Sequence, residues 1–340
     1  MKEKSNIFNR DKPLTIMITG GSSGIGFQAV LKLISLGHNI ILPCKNISRA
    51  NEVLTNLFNH SLDESSNKGE IYTPIMDLSD LRSIDSLCSE VKNRRWTIDV
   101  LILNAGLQYT GSKTPRRSTQ GIELTFAVNH LSHFYLTQKI LPFIDIRNDP
   151  KIIITSSEVH NPNSGGGKVG AKASLGKLKG LESGAGFEMI DGNKFNADKA
   201  YKDSKLCNIL FARKLSENFM KKKLSIPVIA WAPGLVISRD NQGFFRYSRK
   251  YNQLGQILFA FLARDILKIT TSNKKAGLLL SNIACLSKYT KPGFNYYSNK
   301  IISSGKFIFE ETEISNDAQR GDLSDDLWEL SKSLIDRINK

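Results

Sequence analysis

Residues 14–26 read LTIMITGGSSGIG, and this stretch decides the fold. Its first six residues form a short, β-rich apolar run, and a glycine-rich turn follows directly. An apolar helical pattern then occupies residues 27–36 and closes at Gly37, a residue type that commonly ends helices. In a strand–turn–helix unit, glycines let the backbone approach a pyrophosphate, which the helix N-terminus binds with N–H groups and a positive dipole. An ordinary tight turn is the alternative, but the flanking strand and helix favour a dinucleotide site.

The alternation of strand and helix continues along the chain. Four further strands are predicted at residues 39–42, 70–77, 100–103 and 151–154, with helices at 48–59 and 121–140. Such βα units in series give a parallel sheet with helices on both faces, and ligands bind at the carboxyl ends of its strands. The predicted fold class is therefore α/β: a single doubly wound, parallel-sheet Rossmann domain over residues 13–340, after a polar N-terminal tail at residues 1–12.

The end of the second predicted strand carries cations. NAD-binding folds commonly place an acidic residue there to bind the ribose 2′-OH. This chain has Lys45 instead, with Arg49 one turn later. Cations suit a 2′-phosphate, so the sequence favours NADPH over NADH; Lys45 as a plain surface residue is the alternative. Asp77, at the end of the third strand, is predicted either to cap the helix from Ser79 or to bind the adenine amino group.

The chain is strongly basic, with 47 Lys and Arg against 32 Asp and Glu and a net charge of +15. A phosphorylated cofactor, an anionic membrane surface, nucleic acid or an acidic substrate would each suit this charge. The sequence has neither zinc-ligand spacing nor an RNA-binding aromatic motif, so no nucleic-acid partner is expected. His130 and His133 share a helix without a third ligand, so no metal site is expected.

Cysteine spacing and hydropathy indicate a soluble or at most peripheral protein. The four cysteines lie far apart and read as reduced thiols of a cytosolic protein. The N-terminal tail lacks an apolar signal core, and the longest apolar run, residues 257–263, is too short to span a bilayer. The predicted location is the cytoplasm or the surface of a membrane.

Residues 200–208 read AYKDSKLCN and lie in a predicted helix. Tyr201 and Lys205 are four positions apart and therefore share one helical face. A nearby ammonium favours phenolate, lowers the pKa of a tyrosine from about 10 and makes its hydroxyl a usable proton donor. The alternative is a solvated helix face, and a cofactor, a third hydroxyl and a cavity would favour catalysis.

Five motifs in order resemble the short-chain dehydrogenase/reductase family. They are TGxxxGxG at residues 19–26, Asn104-Ala105-Gly106, Asn129, Ser157, and Tyr201 with Lys205. The resemblance implies that Tyr201 donates a proton and that Lys205 lowers the tyrosine pKa and holds the nicotinamide ribose. It also implies that Ser157, rather than the neighbouring Ser156, orients the reacting group and that Asn129 keeps a water relay in place.

The nucleotide contacts that the resemblance implies run from the glycine-rich turn to Gly234. They are Gly20, Ser22, Ser23, Gly24, Ile25, Gly26, Lys45, Asn46, Asp77, Leu78, Asn104, Ala105, Gly106, Tyr201, Lys205, Pro233 and Gly234. The implied cofactor is NADPH.

A long segment rich in glycine and lysine separates Ser157 from Tyr201. This insertion, residues 158–196, resembles that of the light-dependent NADPH:protochlorophyllide oxidoreductases, as do AYKDSKLCN and NHLxHF at residues 129–134. The resemblance implies trans reduction of one ring double bond of a tetrapyrrole, a chlorophyll precursor. Hydride would come from NADPH, a proton from Tyr201 or a water that it organises, and light would be absorbed by the bound pigment. It further implies a location at a photosynthetic membrane.

Four positions depart from the pattern of that subfamily. Leu235 and Leu103 stand where the subfamily has cysteines, Ala232 where it usually has tyrosine, and Gly106 where it has another small residue. A leucine cannot give up a proton or tune a pigment as a thiol can. Three readings therefore stand beside full activity: a divergent paralogue with altered photochemistry, a light-independent carbonyl reductase of a bulky apolar ketone, and a non-catalytic pigment- or nucleotide-binding protein.

Residues 238–270 are predicted to form a lid over the substrate, with Phe244, Phe245 and Tyr247 as its best aromatic candidates. For residues 257–263, core packing is favoured on length. The alternatives are an apolar lid over a greasy substrate and a basic amphipathic helix that rests on an anionic membrane. A helix at 271–287, a last strand at 294–298 and a terminal helix at 325–338 complete the chain. Assembly into oligomers is left open.

Overall fold

A computed structural model describes residues 13–60, 69–237, 246–251 and 253–338 of the chain. Its centre is an eight-stranded sheet with the spatial order β3-β2-β1-β4-β5-β6-β7-β8. The strands are β1 (Thr15–Ile18), β2 (Asn39–Ile41), β3 (Ile71–Tyr72), β4 (Val100–Leu103), β5 (Lys151–Thr155), β6 (Pro227–Ala232), β7 (Gly293–Ser303) and β8 (Lys306–Glu311). All neighbouring pairs are parallel except β7 and β8, which are antiparallel. This doubly wound sheet confirms the predicted fold class.

Helices connect the strands and cover the sheet. In the described ranges they are α1 (Gly24–Ser35), α2 (Ile47–His60), α3 (Leu81–Asn93), α4 (Leu124–Phe126), α5 (Ser132–Ile140), α6 (Lys179–Ser183), α7 (Ala197–Lys221), α8 (Arg246–Tyr251), α9 (Gln253–Phe261), α10 (Asn273–Cys285), α11 (Asn316–Gln319) and α12 (Gly321–Ile338). A parallel sheet is stable only with both faces covered, and this one has a separate apolar core on each face. Val30 of α1 and Leu280 of α10 belong to one core, and Leu136 of α5, Phe211 of α7 and Leu327 of α12 to the other.

One predicted strand is shorter in the structure, and two strands, β6 and β8, were not predicted. The third strand shrinks from residues 70–77 to β3, and later residues join the sheet only by a bridge between Cys44 and Ile75. The last predicted strand lengthens into β7 and turns at Gly305 into β8. Gly305 has a φ of +72°, which glycine adopts without a steric penalty. β8 covers the sheet edge that β7 would otherwise leave unpaired.

The helix predicted at residues 121–140 starts later and is interrupted. The Glu123 side chain accepts hydrogen bonds from the backbone N–H groups of Thr125 and Phe126, and so caps α4. A π-helical turn, Ala127–Leu131, then separates α4 from α5. Such turns are rare and often occur at functional sites. Asn129 lies within this one.

The core-packing prediction for residues 257–263 is wrong. On α9, Leu254, Ile257 and Leu258 are 82%, 57% and 59% exposed, and only Ala263, just beyond the helix, is buried. A short apolar run has the same appearance in sequence whether it is buried or exposed, because burial depends on the rest of the fold. Across the described ranges, no helix combines the length and apolarity that crossing a bilayer requires.

Candidate active site

A cavity of about 1770 Å³ opens at the carboxyl ends of the parallel strands. Every residue that the sequence assigned to nucleotide binding lines it, from Gly20 to Gly234. Ser157, Tyr201 and Lys205 line it as well, whereas Asn129 is fully buried behind its wall. Ligands of open α/β sheets bind at this edge, so the structure brings the predicted nucleotide and catalytic residues to one site.

The glycine-rich turn packs tightly against the end of β4. Gly20 has a φ of +67°, and a Cβ placed on it would lie 2.7 Å from the Cα of Ala105. A Cβ on Gly26 would collide with the carbonyl of Gly20. Thr19, which was not predicted from the sequence, accepts hydrogen bonds at Oγ1 from the backbone N–H groups of Asn104 (2.9 Å) and Ala105 (3.0 Å). The resulting bare backbone at the N-terminus of α1 fits a pyrophosphate.

Two cations border the end of the cavity beside this turn. Lys45 Nζ forms a 3.1 Å ion pair with Asp77. Arg49 donates from Nε to Ser22 Oγ at 3.2 Å and from Nη2 to the Ser22 carbonyl at 3.3 Å. Asn46 Oδ1 accepts a hydrogen bond from the Arg49 N–H at 2.9 Å and so fixes the start of α2. A pair of cations around a hydroxyl suits a 2′-phosphate better than an uncharged 2′-OH.

Asp77 does not cap a helix, and the prediction that it caps the helix from Ser79 is therefore wrong. Its carboxylate accepts hydrogen bonds from the N–H (2.9 Å) and the hydroxyl (2.7 Å) of Ser79 and closes a local turn. The N-cap of α3 is Asp80, whose side chain accepts from the Arg82 N–H. The contact of Asp77 with an adenine remains a prediction.

Helix α7 presents Tyr201 and Lys205 to the cavity from one face. Its N-cap is Asn196, whose Oδ1 accepts a hydrogen bond from the Lys199 N–H at 2.9 Å. Lys205 Nζ lies 5.6 Å from the centre of the Tyr201 ring and donates a 3.1 Å hydrogen bond to the Thr155 carbonyl. The predicted phenol and ammonium are therefore neighbours at the cavity wall.

Burial governs the electrostatics of this pair. Burial raises the pKa of the Tyr201 hydroxyl, and a hydrogen bond with Ser157 offsets only part of the rise. Burial also lowers the pKa of Lys205 from 10.5 to about 8. Burial is thus the largest cause of both shifts, and the predicted lowering of the tyrosine pKa by Lys205 remains a prediction.

The two adjacent serines after β5 have different partners. Ser156 is buried, and its hydroxyl donates a 2.9 Å hydrogen bond to the backbone carbonyl of Lys205. Ser157 lines the cavity and hydrogen-bonds to Tyr201. The choice of Ser157 over Ser156 therefore agrees with the geometry: one serine supports the helix, and the other reaches the phenol.

His160, which was not predicted, holds the backbone of Ser157. Its Nδ1 lies 2.7 Å from the Ser157 carbonyl, and its Nε2 accepts a 3.3 Å hydrogen bond from the Ser315 N–H. Because an N–H can only donate, the ring proton of neutral His160 must reside on Nδ1. Burial lowers the pKa of His160 from 6.5 to about 4, so the ring is neutral at physiological pH. Only the folded chain brings Ser315 to it, 155 residues away.

Asn129 links the loop after β4 to helix α7 by hydrogen bonds. Its Oδ1 accepts a 2.8 Å hydrogen bond from the Leu107 N–H, and its Nδ2 donates at 3.0 Å to both the Leu107 carbonyl and Ser204 Oγ. His133 Nδ1 lies 3.1 Å from the Asn129 backbone carbonyl. The Asn129 side chain thus holds this loop against α7. Its role in a water relay remains a prediction.

Lys199, two residues before Tyr201, anchors the insertion to α7. Its Nζ lies 2.9 Å from the carboxylate of Asp191, in the insertion, and 2.5 Å from that of Asp203, on the helix. It also donates a 2.6 Å hydrogen bond to the Ser174 carbonyl. The two carboxylates are nearly inaccessible to water, and one partly buried cation pairs with both of them.

Lys202 forms a second anchor one residue after Tyr201. Its buried Nζ donates hydrogen bonds to the carbonyls of Val169 and Ala171, the latter at 2.9 Å. Gly165 and Gly166, just before this anchor, line the cavity. The glycine-rich part of the insertion therefore forms a wall of the site and is held by the same helix that carries Tyr201.

The four departures from the subfamily pattern occupy different environments. Leu235 lines the cavity and is half-buried, and Gly106 lines it as well. Ala232 and Leu103 are fully buried in the sheet and do not line it. Of these substitutions, only Leu235 and Gly106 can touch a substrate.

Part of the predicted lid borders the cavity. Tyr247, Phe259 and Ile269 line it. Phe244 and Phe245 lie outside the described residues. The predicted lid over residues 238–270 is therefore supported at the three lining positions and remains a prediction elsewhere.

In the described part of the chain, neither the cysteines nor a set of metal ligands forms a further site. All four cysteines are free and buried. No group of three His, Cys, Asp or Glu side chains in those residues could hold a metal ion.

The fold and the site define a class: a Rossmann-fold oxidoreductase in which a tyrosine, a lysine and a serine meet at a dinucleotide cavity. A family model described as short chain dehydrogenase matches residues 14–174. The chloroplastic protochlorophyllide reductase of Cucumis sativus is 31% identical over 330 residues, covering 94% of this chain and 77% of the relative. That of Marchantia paleacea is 32% identical over 330 residues, covering 94% and 67%. The chain belongs to the short-chain dehydrogenase/reductase family.

Solved structures share this fold. An uncharacterized protein from Mycobacterium paratuberculosis has a TM-score of 0.66 at 21% identity and covers 96% of each chain. The L-sorbose reductase of Gluconobacter frateurii, complexed with NADPH and L-sorbose, has a TM-score of 0.60 at 16% identity and covers 87% of this chain and 98% of that one. At these identities the likeness is one of fold.

Proposed function

We propose that the protein is an NADPH-dependent reductase of protochlorophyllide or a closely related tetrapyrrole, in which light drives hydride transfer. The observation that carries the proposal is that one helix, α7, carries the tyrosine–lysine pair and also holds the insertion. One face of this helix bears Tyr201 and Lys205, while Lys199 and Lys202 hold the insertion at the same cavity. The protochlorophyllide reductases at 31% and 32% identity span nearly the whole chain and support this substrate class.

The cavity has room for a nucleotide and a large second molecule. Typical small-molecule sites occupy roughly 300–1,000 Å³, whereas this one measures about 1770 Å³. The glycine-rich turn, Lys45 and Arg49 would hold NADPH, which supplies the hydride when bound. Lys205 would bind its ribose hydroxyls and Ser157 would orient the phenol. Tyr201 would then give a proton to the reduced carbon skeleton, directly or through a water.

A dark–light experiment tests the proposed function. Purified protein is mixed with NADPH and protochlorophyllide in the dark, then illuminated, and the absorption spectrum is recorded before and after. A chlorophyllide band that appears only after illumination is the expected result. Bound pigment without product would reject catalysis and favour a pigment-binding protein that has lost its chemistry.

Leu235 favours a second candidate function. It lies in the cavity wall where the subfamily has a cysteine, so the pigment-facing surface differs. Tyr201, Lys205 and Ser157 would serve equally in reduction of a ketone, since the proton then goes to a carbonyl oxygen. Turnover of bulky apolar ketones with NADPH in the dark would support this light-independent carbonyl reductase.

We also propose that the protein rests on an anionic membrane through a surface defined by α9 and the β7–β8 turn. The exposed apolar side chains of α9 are joined there by Ile302, which is 65% exposed. The Gly305 N–H donates a 2.9 Å hydrogen bond to the Lys268 carbonyl, so the turn and the segment after α9 are adjacent. Exposed apolar side chains gathered on one helix are typical of protein or membrane interaction sites.

The surroundings of this surface favour a lipid bilayer. Lys268 and Lys306 are exposed at the same turn, and the net charge of +15 favours an anionic surface. Phe259 of α9 lines the cavity, so an apolar substrate would pass directly between bilayer and site. A location at a photosynthetic membrane agrees with the chloroplastic relatives.

A further inference from the structure

His133 connects the glycine-rich turn to Asn129 from a position behind the cavity wall. It lies on α5 and is 1% exposed. Its Nε2 is 2.9 Å from the Oγ1 of Thr19, which is fully buried, and its Nδ1 is 3.1 Å from the Asn129 backbone carbonyl. Thr19 lies 114 residues earlier in the chain, so only the folded protein forms this link.

The hydrogen bonds of Thr19 determine where its own proton goes. A hydroxyl has one proton to donate and two lone pairs. Both lone pairs of Thr19 Oγ1 face backbone N–H groups, that of Asn104 at 2.9 Å and that of Ala105 at 3.0 Å. The proton therefore needs a separate acceptor. The Ile102 carbonyl is 3.5 Å away, whereas His133 Nε2, at 2.9 Å, is at ordinary hydrogen-bond distance.

His133 can accept this proton in only one tautomer. Because the Asn129 carbonyl is an acceptor, the ring proton of His133 must reside on Nδ1, which leaves the lone pair on Nε2. Burial lowers the pKa of His133 from 6.5 to about 4, the hydrogen bond to Asn129 offsets part of this change, and the Lys205 charge adds to it. The ring is therefore neutral at physiological pH, and Nε2 is free to accept from the Thr19 hydroxyl.

We propose that His133 is a positioning residue for NADPH: by accepting the Thr19 proton, it keeps both lone pairs of that hydroxyl directed at the end of β4. Asn104 and Ala105 line the cavity there, and a Cβ on Gly20 would lie only 2.7 Å from the Ala105 Cα. Without Nε2, the Thr19 hydroxyl would have to turn toward the distant Ile102 carbonyl, and its bonds to the two N–H groups would weaken. His133 acts on the nucleotide half of the site, so its role is the same whether the substrate is a pigment or a ketone.

Two substitutions of His133 separate its two hydrogen bonds. His133→Gln can place an amide oxygen near the position of Nε2 and so keeps an acceptor for Thr19. His133→Asn can place an amide N–H near the position of Nδ1 and so keeps the donor to Asn129, but it loses the acceptor for Thr19. Isothermal titration calorimetry with NADPH alone measures the Kd. His133→Asn should raise the Kd about tenfold, whereas His133→Gln should stay close to the wild-type protein.

A second buried histidine provides the matched control. His130 precedes His133 by one helical turn, does not line the cavity, and its Nε2 lies 3.3 Å from Ser331 Oγ on α12. Thermal unfolding without NADPH should show a loss of stability in both His130→Asn and His133→Asn, but the Kd should rise only in His133→Asn. An unchanged Kd in His133→Asn, or equal losses of affinity in His133→Asn and His133→Gln, would overturn the assignment.

A double-mutant cycle tests whether His133 acts through Thr19. Thr19→Val removes the hydroxyl and nearly keeps the shape of the side chain. In this background His133→Asn should not raise the Kd for NADPH further, because no proton remains to be accepted. Additive losses would show that the two residues act independently and would overturn the assignment.

Nitrogen NMR of the wild-type protein, labelled at its histidine rings, tests the same assignment without a substitution at the site. The His133 signals are identified by their loss in His133→Gln. A ring proton on Nδ1 is the expected result. A ring proton on Nε2 would leave no acceptor for Thr19 and would overturn the assignment, even if the variants did not fold. None of these measurements requires a substrate, so their outcome is independent of the proposed reduction of a tetrapyrrole.

Discussion

Lys199 Nζ lies 2.9 Å from the carboxylate of Asp191 and 2.5 Å from that of Asp203, so a single partly buried cation joins the insertion to α7. Replacing Lys199 by Met would leave two buried carboxylates without a counter-charge. We expect Lys199→Met to lower the free energy of unfolding by about 3–5 kcal/mol. Urea denaturation of the variant and the wild-type protein measures this difference.

An exposed ion pair provides the control for Lys199. Lys139 pairs with Asp85 at 2.7 Å, but both side chains are more than 40% exposed. Such surface pairs contribute about 0–1 kcal/mol, so Lys139→Met should change stability little. Equal losses in the two variants would contradict the importance of the buried anchor.

Tyr201→Phe should abolish most turnover while NADPH binding stays nearly unchanged. The variant keeps the ring beside Lys205 but removes the hydroxyl that is proposed to give the proton. A positioned general acid accelerates reactions by about 10²–10⁴-fold, so a loss of this size in kcat is expected. Tyr72→Phe, which removes a hydroxyl that bonds to Glu70 far from the cavity, is the control. Normal turnover in Tyr201→Phe would exclude Tyr201 as the proton donor.

Lys45→Asp should reverse part of the preference for NADPH over NADH. It replaces a cation at the proposed 2′-phosphate site by a carboxylate that suits a 2′-OH. A charge-assisted hydrogen bond contributes about 1.5–3 kcal/mol, so the ratio of the two KM values should shift by about 10–100-fold. Lys92→Asp makes the same change on the exposed surface of α3 and should leave the ratio as it was. An unchanged ratio in Lys45→Asp would remove Lys45 from the site.

Acid should destabilise the protein through His160. Its pKa is lowered by burial from 6.5 to about 4 in the folded state. Between pH 6.5 and pH 4 the unfolded chain binds a proton at His160 that the folded chain does not. The stability that His160 contributes is therefore complete above pH 6.5 and is lost as the pH falls through 4. The loss at pH 4 amounts to about 3 kcal/mol.

His160→Gln removes this titration, and its comparison with the wild-type protein isolates the contribution of His160. Urea denaturation at pH 7 and pH 4.5 should show a smaller loss of stability in His160→Gln. The exposed His60 provides the control, and His60→Gln should keep the wild-type pH dependence. The same pH dependence in all three proteins would contradict the expectation.

Vesicle binding should depend on the exposed apolar residues of α9. The wild-type protein should cosediment with vesicles that contain phosphatidylglycerol more than with phosphatidylcholine vesicles, and added salt should weaken the binding. A variant with both Ile257→Ser and Leu258→Ser should bind about tenfold more weakly, given the apolar area that it removes. Met220→Ser makes a similar change at a 59% exposed position of α7 and should bind normally.

Local sequence patterns were sufficient for the nucleotide end of the site. Gly20 is needed because the backbone of Ala105 leaves no room for a Cβ, and Gly26 because the carbonyl of Gly20 lies too close. The glycines in the sequence therefore indicate this close packing directly. The pairing of Tyr201 with Lys205 follows equally from helical spacing. Both features depend on neighbours in the chain or on one regular element.

Features that depend on distant parts of the chain were not predictable. Glu158 bonds to Ser298, which lies 140 residues further along the chain, and no spacing rule connects them. The pKa of Lys205 depends on how many atoms surround it, and a sequence does not give burial depth. The exposed face of α9 has the same apolar composition as a core helix, so only its surroundings decide between the two.

The wall of the cavity formed by Gly165 and Gly166 lies between two fixed points. Ser157 holds one end through its bond to Tyr201, and Lys202 holds the other through the carbonyls of Val169 and Ala171. A side chain introduced at Gly165, which has open space around it, would thus change the shape of the cavity while the phenol stays in place. This segment is a natural starting point for altering substrate range by directed evolution, because size selection and proton delivery can be varied independently.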